Sequence, residues 1–383
     1  MILETLRFVK DKGWSTNSFP DLDSENTLIL VFAAPEFIND PAPIKELAKK
    51  YPKSKIMGCS GSGEIAGARI YDHSISVAIV KFEKTLIKEA IITINDPKDS
   101  YNAGKALSSE LNDNDLKGVF VLSEGLNING SELVKGLNAI NKENIIITGG
   151  LAGDGSEFKQ TWVIRHGEIV TNEIIAVGFY GDYVRIGHGS KGGWDIFGPE
   201  RHITRSKGNI LYELDGKSAL ELYKEYLGEK ASGLPATGLL FPLSIRKDLN
   251  DPKQLVRTIL AVNDKEGSLT FAGDMPMGYL AQLMRANFDR LITGAKEAGE
   301  LVLNRNQLQK KLAPLLLVAV SCVGRRLLLG ERTEEETESV LKIFPEGTQL
   351  VGFYSYGEIS PYAKGNCDLH NQTMTLTSIC EDI

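Results

Sequence analysis

Gly58-Cys59-Ser60-Gly61-Ser62-Gly63-Glu64-Ile65 stands at the end of a strand-like run, and two later stretches echo it. One is Gly149-Gly150-Leu151-Ala152-Gly153-Asp154-Gly155, and the other is Gly352-Phe353-Tyr354-Ser355-Tyr356-Gly357-Glu358-Ile359. Each follows or contains the end of an apolar run, at 55–57, 145–148 and 350–351. In each, a glycine stands directly before an acid. Glycine at a strand end lets the backbone take positive φ and approach another segment closely. An acid beside it can be aimed at a ligand. Bulges and tight turns would account for one such phrase. Three copies call for a repeated unit.

Reading outward from the phrases shows that unit. A continuous apolar run at 27–33 marks a strand buried on both faces. A short helix at 43–50, a strand at 54–59, the first phrase and strands at 74–82 and 86–94 follow. After a helix at 101–111 the order returns: strand 118–122, helix 130–140, strand 145–148, second phrase, strands 160–165 and 173–179. The third pass is strand 315–321, helix 334–343, a strand into the third phrase, and strand 372–379. Thr333 and Glu336 have the spacing of a capping box for that helix. Repetition of a supersecondary unit implies pseudo-symmetric stacking. The expected fold class is α/β, of the α+β kind, with duplicated strand-helix-strand units in mixed sheets and helices outside. A layered α-β-β-α arrangement is the preferred form.

The chain changes character between the second and third passes. Residues 184–198 are rich in glycine, and Trp194 and Phe197 are candidates for a lid. A helix at 218–227 with Ser218 as cap, strands at 237–242, 255–262 and 267–271, and a long helix at 276–303 are expected. The domain reading is an opening segment at 1–26, one domain at 27–220 and another at 221–383.

Composition bounds the function. Of 383 residues, 42% are hydrophobic and 24% charged, which excludes disorder over most of the length. Net charge is −7 and no Lys/Arg block stands out, so nucleic acid is not an expected partner. No apolar run is long enough to span a bilayer. The four cysteines are scattered without zinc-site spacing. With no secretory signal at the N-terminus, the expected location is the cytoplasm.

The motifs together resemble the FIST family, a sensory module built of an N-terminal and a C-terminal FIST domain. The resemblance rests on GCSGSGEI at 58–65, GGLAGDG at 149–155, VSCVGRR at 320–326, GFYSYGEISP at 352–361 and His370-Asn371-Gln372-Thr373. It spans about 27 to 380. It implies a prokaryotic signal-transduction role with a small-molecule ligand, an amino acid being the usual suggestion. Many members are fused to chemoreceptor, kinase or diguanylate cyclase outputs. This chain has no room for one, so it is expected to act alone or through a separate partner of those kinds. One branch of the family is described as haem-binding nitric oxide sensors, and the resemblance does not decide for or against it.

The candidate ligand-binding residues are Ser60, Glu64, Asp154, Arg325, Tyr354, Tyr356, Glu358 and Asn371. Glu64 and Glu358 occupy matching places in their phrases, with Asp154 the looser counterpart. A carboxylate there suits an ammonium group or a hydroxyl. Arg325 follows a strand end and suits a carboxylate; an internal salt bridge, for instance to Glu358, is the alternative. Tyr354 and Tyr356 share one strand face and could wall a pocket. No catalytic residue and no metal ligand is assigned. No cofactor is assigned either, haem being the open alternative with His188, in Gly-His-Gly, as its ligand. A cysteine enzyme using Cys322 with His370 is the other alternative.

Overall fold

The computed structural model describes residues 1–140, 145–251, 253–305, 314–362 and 366–382. The three phrases close three parallel strand pairs. Thr27–Ala33 lies parallel to Lys55–Ser60, Leu116–Ser123 to Ile146–Leu151, and Leu316–Cys322 to Gln349–Ser355. A parallel pair needs a crossover connection. Helices supply it: Ala42–Lys50 in the first unit, Gly130–Leu137 in the second, Val323–Leu329 and Glu334–Leu341 in the third. Beside the first strand of each pair runs an antiparallel one, Ser74–Lys81, Glu173–Tyr180 or Met374–Glu381. Beyond it lies another, Ile2–Val9, Leu86–Thr93 or Val184–Lys191.

The strand after each phrase leaves its own sheet. Glu64–Ala66 pairs with Gln349–Ser355, Val163–Arg165 with Lys55–Ser60, and Gly357–Pro361 with Ile146–Leu151. Unit one thus donates to three, two to one, and three to two. The exchange is cyclic, so the repeat closes on itself instead of extending as a solenoid.

The chain forms the expected α/β fold of duplicated units, with three sheets around the core where two were preferred. Their central strands, Thr27–Ala33, Leu116–Ser123 and Leu316–Cys322, are buried on both faces nearly throughout, as the unbroken apolar runs require. Leu28, Leu30, Phe32, Phe120, Leu122, Val320 and Phe353 meet in one cluster fed by all three sheets. Phe32 stacks on Phe353 at 4.9 Å across two of them. The alternate residues turn outward, Ile29 and Val31 toward Ile44 and Leu47, Val119 and Val121 toward Leu107, Leu133 and Leu137.

Residues 195–285 form a fourth sheet, antiparallel throughout, with a core of its own that includes Ile203, Leu211, Leu220, Tyr223, Phe271 and Leu283. This inserted layer enters after Val184–Lys191 and returns before Phe288–Arg305. Part of it departs from the sequence reading. The helix expected over 276–303 is a strand, Leu280–Arg285, followed by the helix Phe288–Arg305. Leu280, Leu283 and Met284 have helical spacing, but Leu243–Arg246 and Asp195–Lys207 offer ladders on both sides. Asn287 then starts the helix, its Oδ1 accepting from Arg290 N at 3.3 Å. The strand expected at 237–242 is a short 3-10 segment, Ala236–Leu240. Thr333 has helical backbone and its hydroxyl turns back to Gly330 O, so it does not cap the next helix.

Candidate functional site

The glycine phrases join the three units to one another. Ser62 N donates to Tyr354 O at 2.8 Å, Gly153 N to Ser60 O at 3.0 Å, and Tyr356 N to Leu151 O at 3.2 Å. These three bonds form a ring, each linking one unit to another in the order of the strand exchange. Gly58, Gly149 and Gly352 sit one step earlier, opposite Val31, Val121 and Ala319. A Cβ on them would fall 2.0, 1.8 and 1.9 Å from those residues' carbonyl oxygens. Only glycine allows this approach.

Register makes Glu64 and Glu358 true counterparts, opposite Phe353 and Gly150. The third place belongs to Val163, opposite Cys59, and not to Asp154. Asp154 gathers a turn instead, accepting from Phe158 N at 3.0 Å, Lys159 N at 2.7 Å and Gln160 N at 2.8 Å, and from Tyr356 Oη. Glu358 is fully buried and accepts from Ser355 Oγ, Thr373 N and Thr373 Oγ1. Burial pushes its carboxyl up to about 8, against the pull of those hydrogen bonds. Burial also raises Glu64, which accepts from Ser74 Oγ at 2.9 Å and has no hydrogen-bond partner for Oε1 among the described residues.

Arg325 is fully buried and spent inside the fold. Nε pairs with Glu336 at 3.1 Å, Nη1 donates to Gly192 O and Gln372 O, and Nη2 donates to Leu291 O at 2.8 Å. The internal salt bridge is therefore to Glu336, not Glu358. Ser60 Oγ accepts from Trp162 N at 3.3 Å. Tyr354 and Asn371 are buried, and among the described residues the Tyr354 hydroxyl and both Asn371 amide atoms lack hydrogen-bond partners. The eight expected residues are thus distributed around the closure of the three units and are not gathered on one cavity.

Open space lies elsewhere, along the seam where the inserted layer meets the three-unit body. A cavity of about 270 Å³ is lined by Lys135, Lys253, Arg257, Asp251, Asp274 and Asp368, with Cys367 and Leu369 from the strand Cys367–His370, which pairs with Gly357–Pro361. Arg257 is 4% exposed. Its Nε donates to Asp274 O at 3.0 Å and its Nη1 to Val256 O and Leu369 O, both at 3.1 Å. Nη2 has no hydrogen-bond partner among the described residues. Among the described residues no carboxylate bonds this guanidinium, whose partners are all backbone carbonyls. Burial lowers its pKa to about 10, opposed by the charges of Asp274 and Asp368, so it stays cationic at neutral pH. Gly273 makes the space, since a Cβ there would meet Arg257 Nε at 2.9 Å. Lys135 lies 3.3 Å from Asp274, and Lys253 pairs with Asp368. A buried fork donor beside several carboxylates is a lining that can hold opposite charges a short distance apart.

Sequence reasoning missed Arg257 because it lies outside the glycine phrases, in the short strand Leu255–Arg257. The available signal was an arginine in an apolar run with Gly273 on a neighbouring segment.

The two alternative chemistries meet a different setting. His188 is 6% exposed within a strand that pairs with Met374–Glu381 along eight residues, and its Nδ1 lies 3.4 Å from Ser360 Oγ. Its neighbour Gly189 is pressed against the Ala298 carbonyl, where a Cβ would be 2.0 Å away. A porphyrin would have to part these elements, so the residues around His188 do not fit haem. Cys322 and His370 line different cavities of the seam. Burial pushes the Cys322 thiol up and the His370 imidazole down, the reverse of an activated thiolate.

Comparison with known proteins bears on both halves of the chain. The family model described as FIST N domain matches residues 27–217, and the FIST C domain model matches 219–361. A protein of Methanocaldococcus jannaschii described as uncharacterized is 25% identical over 366 residues, covering 84% of this chain. The match spans 66% of that relative's length. A solved cyanuric acid hydrolase from A. caulinodans overlaps 78% of this chain and 100% of its own, at 10% identity and a TM-score of 0.18, too low to bear on the fold.

Proposed function

This chain belongs to the FIST family, whose domains are associated with signal transduction and small-ligand sensing, and from that premise we propose that it senses an amino acid in the charged seam cavity. The observation that carries the reading is the buried Arg257 with Nη2 unpaired and acids around it. Its guanidinium takes the ligand carboxylate. Asp251, Asp274 or Asp368 takes the ammonium group. Arg257 thereby fills the part that the sequence suggested for Arg325, which is occupied by Glu336.

The cavity's place explains how binding could be passed on. Its walls come from the inserted layer and from the body, each with its own core. A ligand touching both favours one relative position over others, and only such differential affinity can signal. The recipient in this reading is a separate kinase, chemoreceptor or cyclase, and the setting is the cytoplasm. Among the described residues no helix is long and apolar enough to cross a membrane.

A thermal-shift and calorimetric screen of the common amino acids tests this. A true ligand at about 100 times its Kd adds roughly 2.7 kcal/mol of stability. Arg257→Gln is expected to weaken binding by about 2 kcal/mol or more, because the carboxylate loses a buried charged partner. Arg257→Lys keeps the charge without the fork and should fall between. A panel with no stabilising member, or a shift that Arg257→Gln leaves intact, overturns the reading.

A further inference from the structure

The seam holds another cavity of different character, of about 180 Å³. Its lining carries no charged side chain. Leu126, Leu151, Leu260, Phe271 and Val323 contribute apolar surface, and the ring of Tyr356 forms part of the wall. Tyr356 Oη is committed to Asp154 and Gly155 O, so it presents only its ring. Thr258 is 4% exposed and its hydroxyl has no hydrogen-bond partner among the described residues. A buried hydroxyl left unpaired is unfavourable, and a ligand that supplies a partner relieves that cost. Phe158 stacks on Tyr356 at 4.6 Å and 9°, while 47% exposed and with φ at +51°. That backbone is unfavourable for a bulky side chain, and it places the ring over the cavity wall.

We propose that this cavity is a second ligand site, taking a small neutral molecule of aromatic size with one hydrogen-bonding group. Apolar space of roughly 150 Å³ is enough to bind benzene, and Thr258 supplies the polar contact. The absence of charge in the lining excludes the zwitterion proposed for the neighbouring cavity. Thr258 follows Arg257 directly, yet the two line different cavities. The two sites lie back to back on one stretch of the inserted layer and are separable by mutation.

Phenol and toluene serve as probes, titrated against the full chain by calorimetry and by ligand-observed NMR. Saturable binding of both, near one equivalent, is expected. Thr258→Val should weaken phenol about tenfold and leave toluene unchanged. Ala272→Leu, which puts a larger side chain into the lining, should abolish both. Arg257→Gln should alter neither, so failure here is distinct from failure of the amino-acid reading. Thr258→Val is nearly isosteric and keeps the test usable should Ala272→Leu fold poorly. No saturable binding to the wild type overturns the proposal. So does probe binding that survives Ala272→Leu in a folded protein, or a phenol affinity indifferent to Thr258→Val.

Discussion

Arg325 and Arg257 are both buried arginines, but one belongs to the body and the other to the seam. Arg325 has a carboxylate on Nε and carbonyls on both terminal nitrogens. Arg257 has carbonyls on two nitrogens and no hydrogen-bond partner on the third among the described residues. The same division holds more widely. In the body the glycine phrases are spent on close approach and on the ring of backbone bonds that joins three units. Along the seam, Arg257 and Thr258 line cavities, and the Thr258 hydroxyl has no hydrogen-bond partner among the described residues. Motif density therefore marks where the fold closes, and uncommitted chemistry lies where the sequence is plainest.

The strongest way to break this comparison is to attack the closure. Gly149→Ala would set a Cβ 1.8 Å from the Val121 carbonyl oxygen, at a φ of +147°. A strand pair must separate to admit it, so a loss above about 4 kcal/mol is expected. Failure to obtain folded protein, seen by near-UV circular dichroism, is the predicted outcome; a melting temperature near wild type would refute a structural role for the phrase. Next in size are the arginines' partners. Glu336→Gln leaves Arg325 buried without its counter-charge and should cost about 3–5 kcal/mol in urea unfolding. Arg257→Gln removes a buried cation that has no carboxylate bound to it and should cost no more than about 1 kcal/mol. Equal losses would erase the distinction between body and seam.

The sequence made much of the body legible. Unbroken apolar runs at 27–33 and 118–122 gave both-face burial, and the repeat gave equivalent units. The matching of Glu64 and Glu358 also follows from their phrases, because identical residues fill the same register position. Asp154 misled because adjacency to glycine resembles register without determining it; the register residue is Val163, nine positions on. Cyclic strand exchange was not legible, since three-residue strands such as Glu64–Ala66 carry no sign of which sheet they will join. The inserted layer was hardest. Its strand Leu280–Arg285 has helical spacing, and only pairing with distant segments decides otherwise. Arg257 was missed for the same reason: its surroundings come from segments more than a hundred residues apart, with Leu369 on one side and Lys135 on the other.

A pH-dependent effect tests whether the body's acids are structural. Glu358 has its carboxyl raised to about 8 by burial, well above the roughly 4.3 of an unfolded glutamate. The folded state therefore holds this proton more tightly than the unfolded chain does. Its share of stability is fully present below about pH 4.3 and is lost as pH rises through about 8. Glu358→Gln keeps a neutral side chain that can still meet Ser355 and Thr373. The variant should match wild type near pH 4 and exceed it near pH 8.5, by up to about 5 kcal/mol for a shift from about 4.3 to about 8. Chemical denaturation across that range reads the difference directly. A variant that matches wild type near pH 4 but is less stable near pH 8.5 would mean that the folded protein favours the ionised carboxylate, and Glu358 would then be a candidate for charged ligand contact.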